Sequence, residues 1–149
     1  MKIFISGSIS IDKLDSVIIS EIERIILNNY TVLIGDANGV DLEVQKFLSK
    51  SNYENVIIYY TGNRCRNNIA SWPEICVENT DNLVGREMYS LKDAKMAEDA
   101  DLGLIIWDGE SIGTKNNILR MNKLNKKIKV YLNNIFYSNE DLLKIIKSQ

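Results

Sequence analysis

Three glycine-bearing turns are the residues best suited to chemistry in this chain: Gly7-Ser8, Gly35-Asp36-Ala37-Asn38-Gly39, and Asp108-Gly109-Glu110-Ser111-Ile112-Gly113-Thr114. Glycine lets a ligand approach the backbone closely, and a helix that starts just after such a turn presents free N–H groups that attract anions. Between the second and third turns, Arg64, Arg66, Asn67 and Asn68 have the donors to clamp a phosphate or carboxylate, although an exposed loop has the same composition. The turns match neither the Gly-Lys-Ser/Thr of a Walker loop nor a GxGxxG fingerprint, which argues against conventional ATPases and NAD-dependent dehydrogenases. The sequence contains no histidine. That removes Ser-His-Asp and Cys-His catalysis and the usual zinc sites, leaving carboxylates, Tyr, Lys or water for proton transfer.

Asp93 is the sharpest candidate for a catalytic group. At 100° per residue it shares one helical stripe with Arg86, Tyr89, Met96, Ala97 and Ala100, which places a carboxylate on a sheet-facing surface. Such a group needs a partner, here Arg66 or a loop N–H, or else it works in a cleft as acid, base or hydroxyl acceptor. Asp36 and Asp41 have the bland alternative of holding a turn, and Asp41 is expected to cap the next helix. Trp72 and Trp107 offer rings to a base, or sit in the core. Asp36, Asp93 and Asp108 are of the type that holds Mg²⁺, but nothing in their spacing requires a metal and no cofactor is implied.

The elements that position these residues follow from hydrophobic periodicity. Strands are expected at Lys2–Ser6, Thr31–Ile34, Val56–Tyr60, Leu102–Trp107 and Ile128–Leu132. Helices are expected at Asp12–Asn28, Val40–Lys50, Gly85–Ala100 and Thr114–Asn125, with a short one near 139–147. Thr61 to Val84, which holds the only proline, Pro73, reads as one long irregular connection, and such connections are more often functional than idle. Strands alternating with helices imply a Rossmann-like α/β sandwich of three layers, with a mainly parallel sheet of roughly five strands. Ligands in such sheets bind beyond the carboxyl ends of the strands, where all three glycine turns fall.

The 149 residues suit a single domain over 1–149, and 45% hydrophobic with 26% charged residues is ordinary for a globular chain. A formal net charge of −2 argues against general binding to nucleic-acid backbone. The run from Lys123 to Lys129 is a local exception, read as a solvated turn before a strand. No apolar run approaches bilayer length and the N-terminus reads as a strand, so a cytoplasmic protein with no membrane partner is expected. Cys65 and Cys76 lack metal-type spacing and read as reduced thiols.

The Gly7-Ser8 start, the Gly35 to Asp41 turn and the Trp107 to Thr114 loop together resemble the SLOG superfamily over about Met1 to Leu132. The segments Lys92 to Met96 and Trp107 to Gly109 resemble a bacterial branch of it. That resemblance implies a Rossmann-like fold and a nucleotide or nucleotide-derived ligand. Its enzymatic relatives include LOG-type phosphoribohydrolases and nucleoside deoxyribosyltransferases, and relatives commonly pair through helices into homodimers or larger oligomers. The LOG motif Gly-Gly-x-Gly-Thr-x-x-Glu, placed on Gly113-Thr114, puts Asn117 where the catalytic glutamate belongs, and asparagine is neither nucleophile nor general base. The expected function is therefore binding or sensing of a nucleotide-derived small molecule. Gly7, Ser8, Gly35, Asp36, Gly39, Arg66, Asn67, Arg86, Asp108, Gly109, Ser111, Gly113, Thr114 and Asn117 would line its site. The alternative is an N-glycosidic hydrolase or transferase that uses Asp93.

Overall fold

A computed structural model describes residues 1–147; positions 148 and 149 of the expected domain lie outside the described residues. The chain runs β1 (Lys2–Gly7), α1 (Ser16–Leu27), β2 (Thr31–Gly35), α2 (Val40–Lys50), β3 (Val56–Thr61), β4 (Glu74–Val77), α3 (Gly85–Asp99), β5 (Leu102–Ile106), α4 (Ile112–Lys123), β6 (Lys127–Leu132), β7 (Ile135–Tyr137) and α5 (Asn139–Lys147). These form one seven-stranded sheet in the order β4-β3-β2-β1-β5-β6-β7, parallel except for the antiparallel β6–β7 pair. The three-layer Rossmann-like architecture is as the alternating pattern predicts.

Near-continuous apolar strands are what a sheet covered on both faces demands. On β1 and β2, Ile3, Ile5, Val32 and Ile34 point into the layer built with Ile18, Ile22 and Ile25 of α1 and Val44 and Leu48 of α2. Phe4 and Leu33, offset by one residue, point into the opposite layer with Met96 and Ala97 of α3, Ile118 and Met121 of α4, and Leu142 and Ile146 of α5. The period-two pleat thus assigns successive residues to two separate cores.

Two strands exceed the expected five. β4 lies inside the stretch read as irregular, because four mostly exposed residues with the sequence Glu-Ile-Cys-Val carry no burial pattern at the sheet edge. β7 returns along β6 with Leu132 opposite Ile135, so Asn133-Asn134 forms the whole connection. Both asparagines have positive φ, 51° and 65°, the signature of a type I′ hairpin turn. α1 starts at Ser16 rather than Asp12, because the Asp15 carboxylate accepts from the N–H groups of Val17 and Ile18 and sets the cap there. α1, α2 and α4 are each followed by an asparagine in the left-handed region (Asn29, Asn52 and Asn125), in the role glycine usually fills.

The sheet changes direction of growth between β1 and β5, which are hydrogen-bonded neighbours although six elements separate them in sequence. A crevice forms at such a switch point beyond the strand C-termini. The first and third glycine turns leave β1 and β5 on either side of it.

Candidate functional site

Close packing at the ends of β1 and β5 dictates the residue types there. A Cβ on Gly7 would lie 2.5 Å from Val40 Cγ2 and 2.6 Å from the Ile106 carbonyl oxygen, so only glycine fits. Gly39, with φ +75°, would put a Cβ 2.5 Å from the backbone of Ile9. The next residue, Ser8, is fully buried; its hydroxyl accepts from the Asp108 N–H at 3.1 Å and lies 3.3 Å from the Thr114 hydroxyl. Asp108 shapes the turn, accepting from the N–H groups of Glu110 and Ser111, both at 2.8 Å, and from the Ser10 hydroxyl at 2.6 Å. Partial burial would push this carboxyl up, but those hydrogen bonds outweigh it and hold the pKa down at about 2. Trp107 is buried and its indole N–H donates to the Ser111 carbonyl, fixing the loop from beneath. Ser111 caps α4.

Beside this loop lies a buried polar network. Lys92 is 4% exposed, and its ammonium donates to Asp93 at 2.8 Å. Burial alone would lower its pKa, but Asp93 and Asp41 hold the charge and raise it. Asp41 is buried against it and accepts weakly from the Ala37 N–H at 3.3 Å; burial raises its pKa to about 7 despite the opposing pull of Lys92. Asp41 therefore does not cap α2 as expected: Gly39 occupies the cap position and no side chain serves it. A Cβ on Gly35 would sit 2.7 Å from the Asp41 carboxylate and 3.2 Å from Lys92 Nζ, so this glycine makes room for the pair. Asn117 extends the network, donating to Ser6 Oγ at 3.0 Å and to Asp93 at 3.2 Å while accepting from Arg120.

Arg66 forms a second unit. Its guanidinium binds the fully buried Asp36 carboxylate through Nε at 3.2 Å and Nη2 at 2.8 Å, and its backbone N–H adds a third bond at 2.9 Å. It also stacks over Tyr89, 4.0 Å from the ring centroid. Asn67 donates to the Asp36 carbonyl and to Asn38, and the buried Gln45 amide donates to the carbonyls of Gly35 and Asn67. Asn68 and the Trp72 backbone bond each other, and the Trp72 indole donates to the Tyr53 carbonyl. The loop after β3 is thus tied to the second glycine turn, with Asp36 held between them.

A cleft of about 470 Å³ opens between these units, lined by Gly7, Arg66, Arg86, Asp93, Asp108, Ser111, Gly113, Thr114 and Asn117 among the expected residues. Ser8, Gly35, Asp36, Gly39, Asn67 and Gly109 are not on its wall; they support it from behind or shape its turns. Arg66 is neutralised by Asp36, and Asp93 pairs with Lys92 rather than with the expected Arg66. Both tryptophans are core residues that hold loops, not stacking platforms. Among the described residues, no group of three or more His, Cys, Asp or Glu side chains could hold a metal: Asp36, Asp93 and Asp108 each serve a different protein partner.

Two features remain directed at the cleft. Arg86, exposed near the start of α3, has no hydrogen-bond or ion-pair partner among the described residues. The N–H groups of Ile112 and Gly113, in the first turn of α4, also have no acceptor there, and a Cβ on Gly113 would meet nothing within 4 Å. Lys92 and Arg120 are the basic wall residues that sequence reading missed, and Ser6, Ser90 and Asn116 also line the wall without having been singled out. A lysine beside Asp93 looks like a solvent-facing neighbour, yet α3 buries it; Arg120 carried a signal in its spacing, three residues after Asn117 on α4.

No family model matches the chain, and no curated protein matches its sequence. Among solved structures, the chain is similar to DNA processing protein A from Helicobacter pylori, described for its single-stranded DNA binding mode. The TM-score is 0.68 at 15% identity, over 100% of this chain and 74% of that one. At this identity the likeness speaks for the fold, an α/β Rossmannoid. That protein is nevertheless described as binding single-stranded DNA, and this corrects the expectations of a small nucleotide-derived ligand, of N-glycosidic chemistry through Asp93, and of no general nucleic-acid binding. Physical reasons accompany the correction. A net charge of −2 averages over the whole surface, whereas the cleft wall gathers Arg66, Arg86, Lys92 and Arg120; Asp36 and Asp93 are committed to Arg66 and Lys92, and Asp41, Asp108 and Glu110 are the carboxylates on that wall without an ion pair among the described residues. Asp93, bound by Lys92 and Asn117, is a partner within a network rather than a poised base. No helix among the described residues is long and apolar enough to cross a membrane.

Proposed function

We propose that this chain binds single-stranded nucleic acid at the C-terminal edge of its sheet, with a backbone phosphate seated at the start of α4. The observation that carries the reading is the pairing of two unsatisfied donors in one cleft. The Arg86 guanidinium and the Ile112 and Gly113 N–H groups have no acceptor among the described residues. A phosphate diester matches both, because it offers charge to the guanidinium and acceptor oxygens to the helix N-terminus. Tyr89, backed by Arg66, adds aromatic surface to the wall, which an unpaired base can use and a stacked one cannot. Binding of single-stranded DNA by a protein of similar fold supports the same choice of partner.

Membership of the SLOG superfamily belongs to this proposal too, as a fold relationship. The Gly7-Ser8 and Ser111 to Thr114 turns carry it, and Asn117 stands in the network where LOG enzymes have glutamate. One functional unit spans the chain, and the two glycine turns beside β1 and β5 supply its ligand-facing backbone.

Fluorescence anisotropy with a labelled oligothymidine tests the reading. Contact with one phosphate predicts a slope of log K against log salt near about −0.7, and Arg86→Ala should weaken binding and remove most of that slope. Absence of binding at low salt, or binding that Arg86→Ala leaves unchanged, overturns the assignment.

A further inference from the structure

At the opposite, N-terminal edge of the sheet lies a second and larger groove of about 720 Å³, between α1 and the start of β6. Only α1 and α2 cover this face of the sheet, while three helices cover the other. Its floor is aliphatic, with Ile3, Leu102 and Leu104. Its rim carries four cations against two carboxylates, Glu21 and Glu140; Lys129 is paired with Glu21 and Lys126 donates to the Ala97 and Glu98 carbonyls, which leaves Arg24 and Lys127 as the cations open to a partner. Lys127 is exposed and has no partner among the described residues, and Arg24 makes only a 3.7 Å contact to Glu21 with its side chain 66% exposed. The function proposed above uses none of these groups, and the Lys123 to Lys129 run contributes three of the rim cations.

The complement of this groove occurs on the same molecule. From β4 to the start of α3, the chain presents Glu78 and Asp81, both exposed and without a side-chain ion pair among the described residues. Exposed apolar residues, Ile75 at 36% and Val84 at 79%, are interspersed with them. We infer that the groove docks the 74–84 segment of a second copy of this chain, which stops short of Arg86, setting Glu78 and Asp81 on the cationic rim and Ile75 and Val84 on the floor.

The two surfaces are different patches, so the contact is heterologous, and a pair keeps one free segment on one copy and one free groove on the other. Copies would add head to tail, with charge complementarity setting the register. The aliphatic floor, which has Tyr30 as the one aromatic among its lining residues, and the acidic complement on the 74–84 segment favour a protein segment as the occupant.

Sedimentation velocity without nucleic acid, over a protein concentration series at low and high salt, tests the inference independently of strand binding. Mass should rise with concentration beyond a dimer at low salt and fall back to monomer at high salt. Arg24→Glu/Lys127→Glu and, separately, Glu78→Lys/Asp81→Lys should each weaken association by about tenfold or more. Mixing a groove-reversed protein with a segment-reversed one should restore a heterologous pair. All four positions are exposed, and unchanged melting temperatures would show that both variants fold. A protein that stays monomeric throughout overturns the inference. So does a closed dimer indifferent to both reversals, or groove reversal that weakens only oligonucleotide binding.

Discussion

Replacing Lys92 with methionine removes the ammonium group that is bonded to Asp93 and whose charge also acts on Asp41, while keeping an unbranched stem of similar length. The group is 4% exposed and lies 2.8 Å from Asp93, so water does little to replace it. Asp41 has a folded pKa of about 7 against an ordinary 3.8, raised chiefly by burial and held from rising further by Lys92. An acid whose folded pKa lies above its unfolded one contributes stability that is complete below about pH 4 and lost as pH rises through about 7. Some three units at 1.36 kcal/mol each bound that loss in the wild type at about 4 kcal/mol. Without Lys92, Asp41 is driven to keep its proton to still higher pH, and the penalty deepens on the alkaline side.

Breaking a buried ion pair from one side costs about 3–5 kcal/mol, and Lys92→Met should fall at the lower end, about 3 kcal/mol, near pH 8. Near pH 5 Asp41 is protonated in both proteins, and the loss should shrink to about 1 kcal/mol, the share left to the partly exposed Asp93. Urea midpoints at the two pH values, with an unchanged m-value, read the difference directly. Asp41→Asn/Lys92→Met should recover most of the alkaline loss. Equal destabilisation at both pH values, or a double variant no better than the single, means that the charge of Asp41 is not what Lys92 compensates.

Gly7→Ala places a methyl group 2.5 Å from Val40 and should cost about 1–3 kcal/mol, seen as a lower urea midpoint; an unchanged midpoint would show that the β1 turn has slack. Asp108→Ala removes acceptors for two backbone N–H groups and the Ser10 hydroxyl, and should destabilise by about 1–2 kcal/mol at neutral pH. Since the folded pKa of Asp108 is depressed to about 2, its contribution is present above about pH 4 and fades towards pH 2; a loss that persists at pH 2 would count against this role. Trp107→Phe keeps the buried ring but loses the bond to the Ser111 carbonyl. It should weaken oligonucleotide affinity severalfold through a looser α4 start while changing stability by only about 1 kcal/mol; equal affinity would sever the loop from the tryptophan.

The fold was legible where burial patterns are long. Ile3 to Ile5, Val32 to Ile34 and Leu104 to Ile106 have no polar interruption, and this marks strands covered on both faces. β4 and β7 were not legible by that route, being short edge strands, although Asn133-Asn134 carried a turn signal that a hairpin reading could have used. At the site, glycine located the two turns beside β1 and β5 because close contact imposes it at Gly7 and a φ of +85° favours it at Gly109, whatever the ligand. Side-chain roles were less readable. Arg66 and Asp93 each looked free to act, and each is committed to a partner, Asp36 and Lys92, that only tertiary packing brings near. Whole-chain charge misled for a related reason: pairing and burial silence acids that a count still includes.

The seat of the phosphate is open to one decisive measurement, oligothymidine binding by Gly113→Asp. A side chain at this position meets no protein atom within 4 Å, and a carboxylate in the first turn of a helix favours the fold. The melting temperature should therefore hold or rise while the new charge occupies the place of the phosphate, and affinity should fall by about tenfold or more. A stable Gly113→Asp protein that binds single-stranded DNA as tightly as the wild type would contradict a phosphate seat at the start of α4.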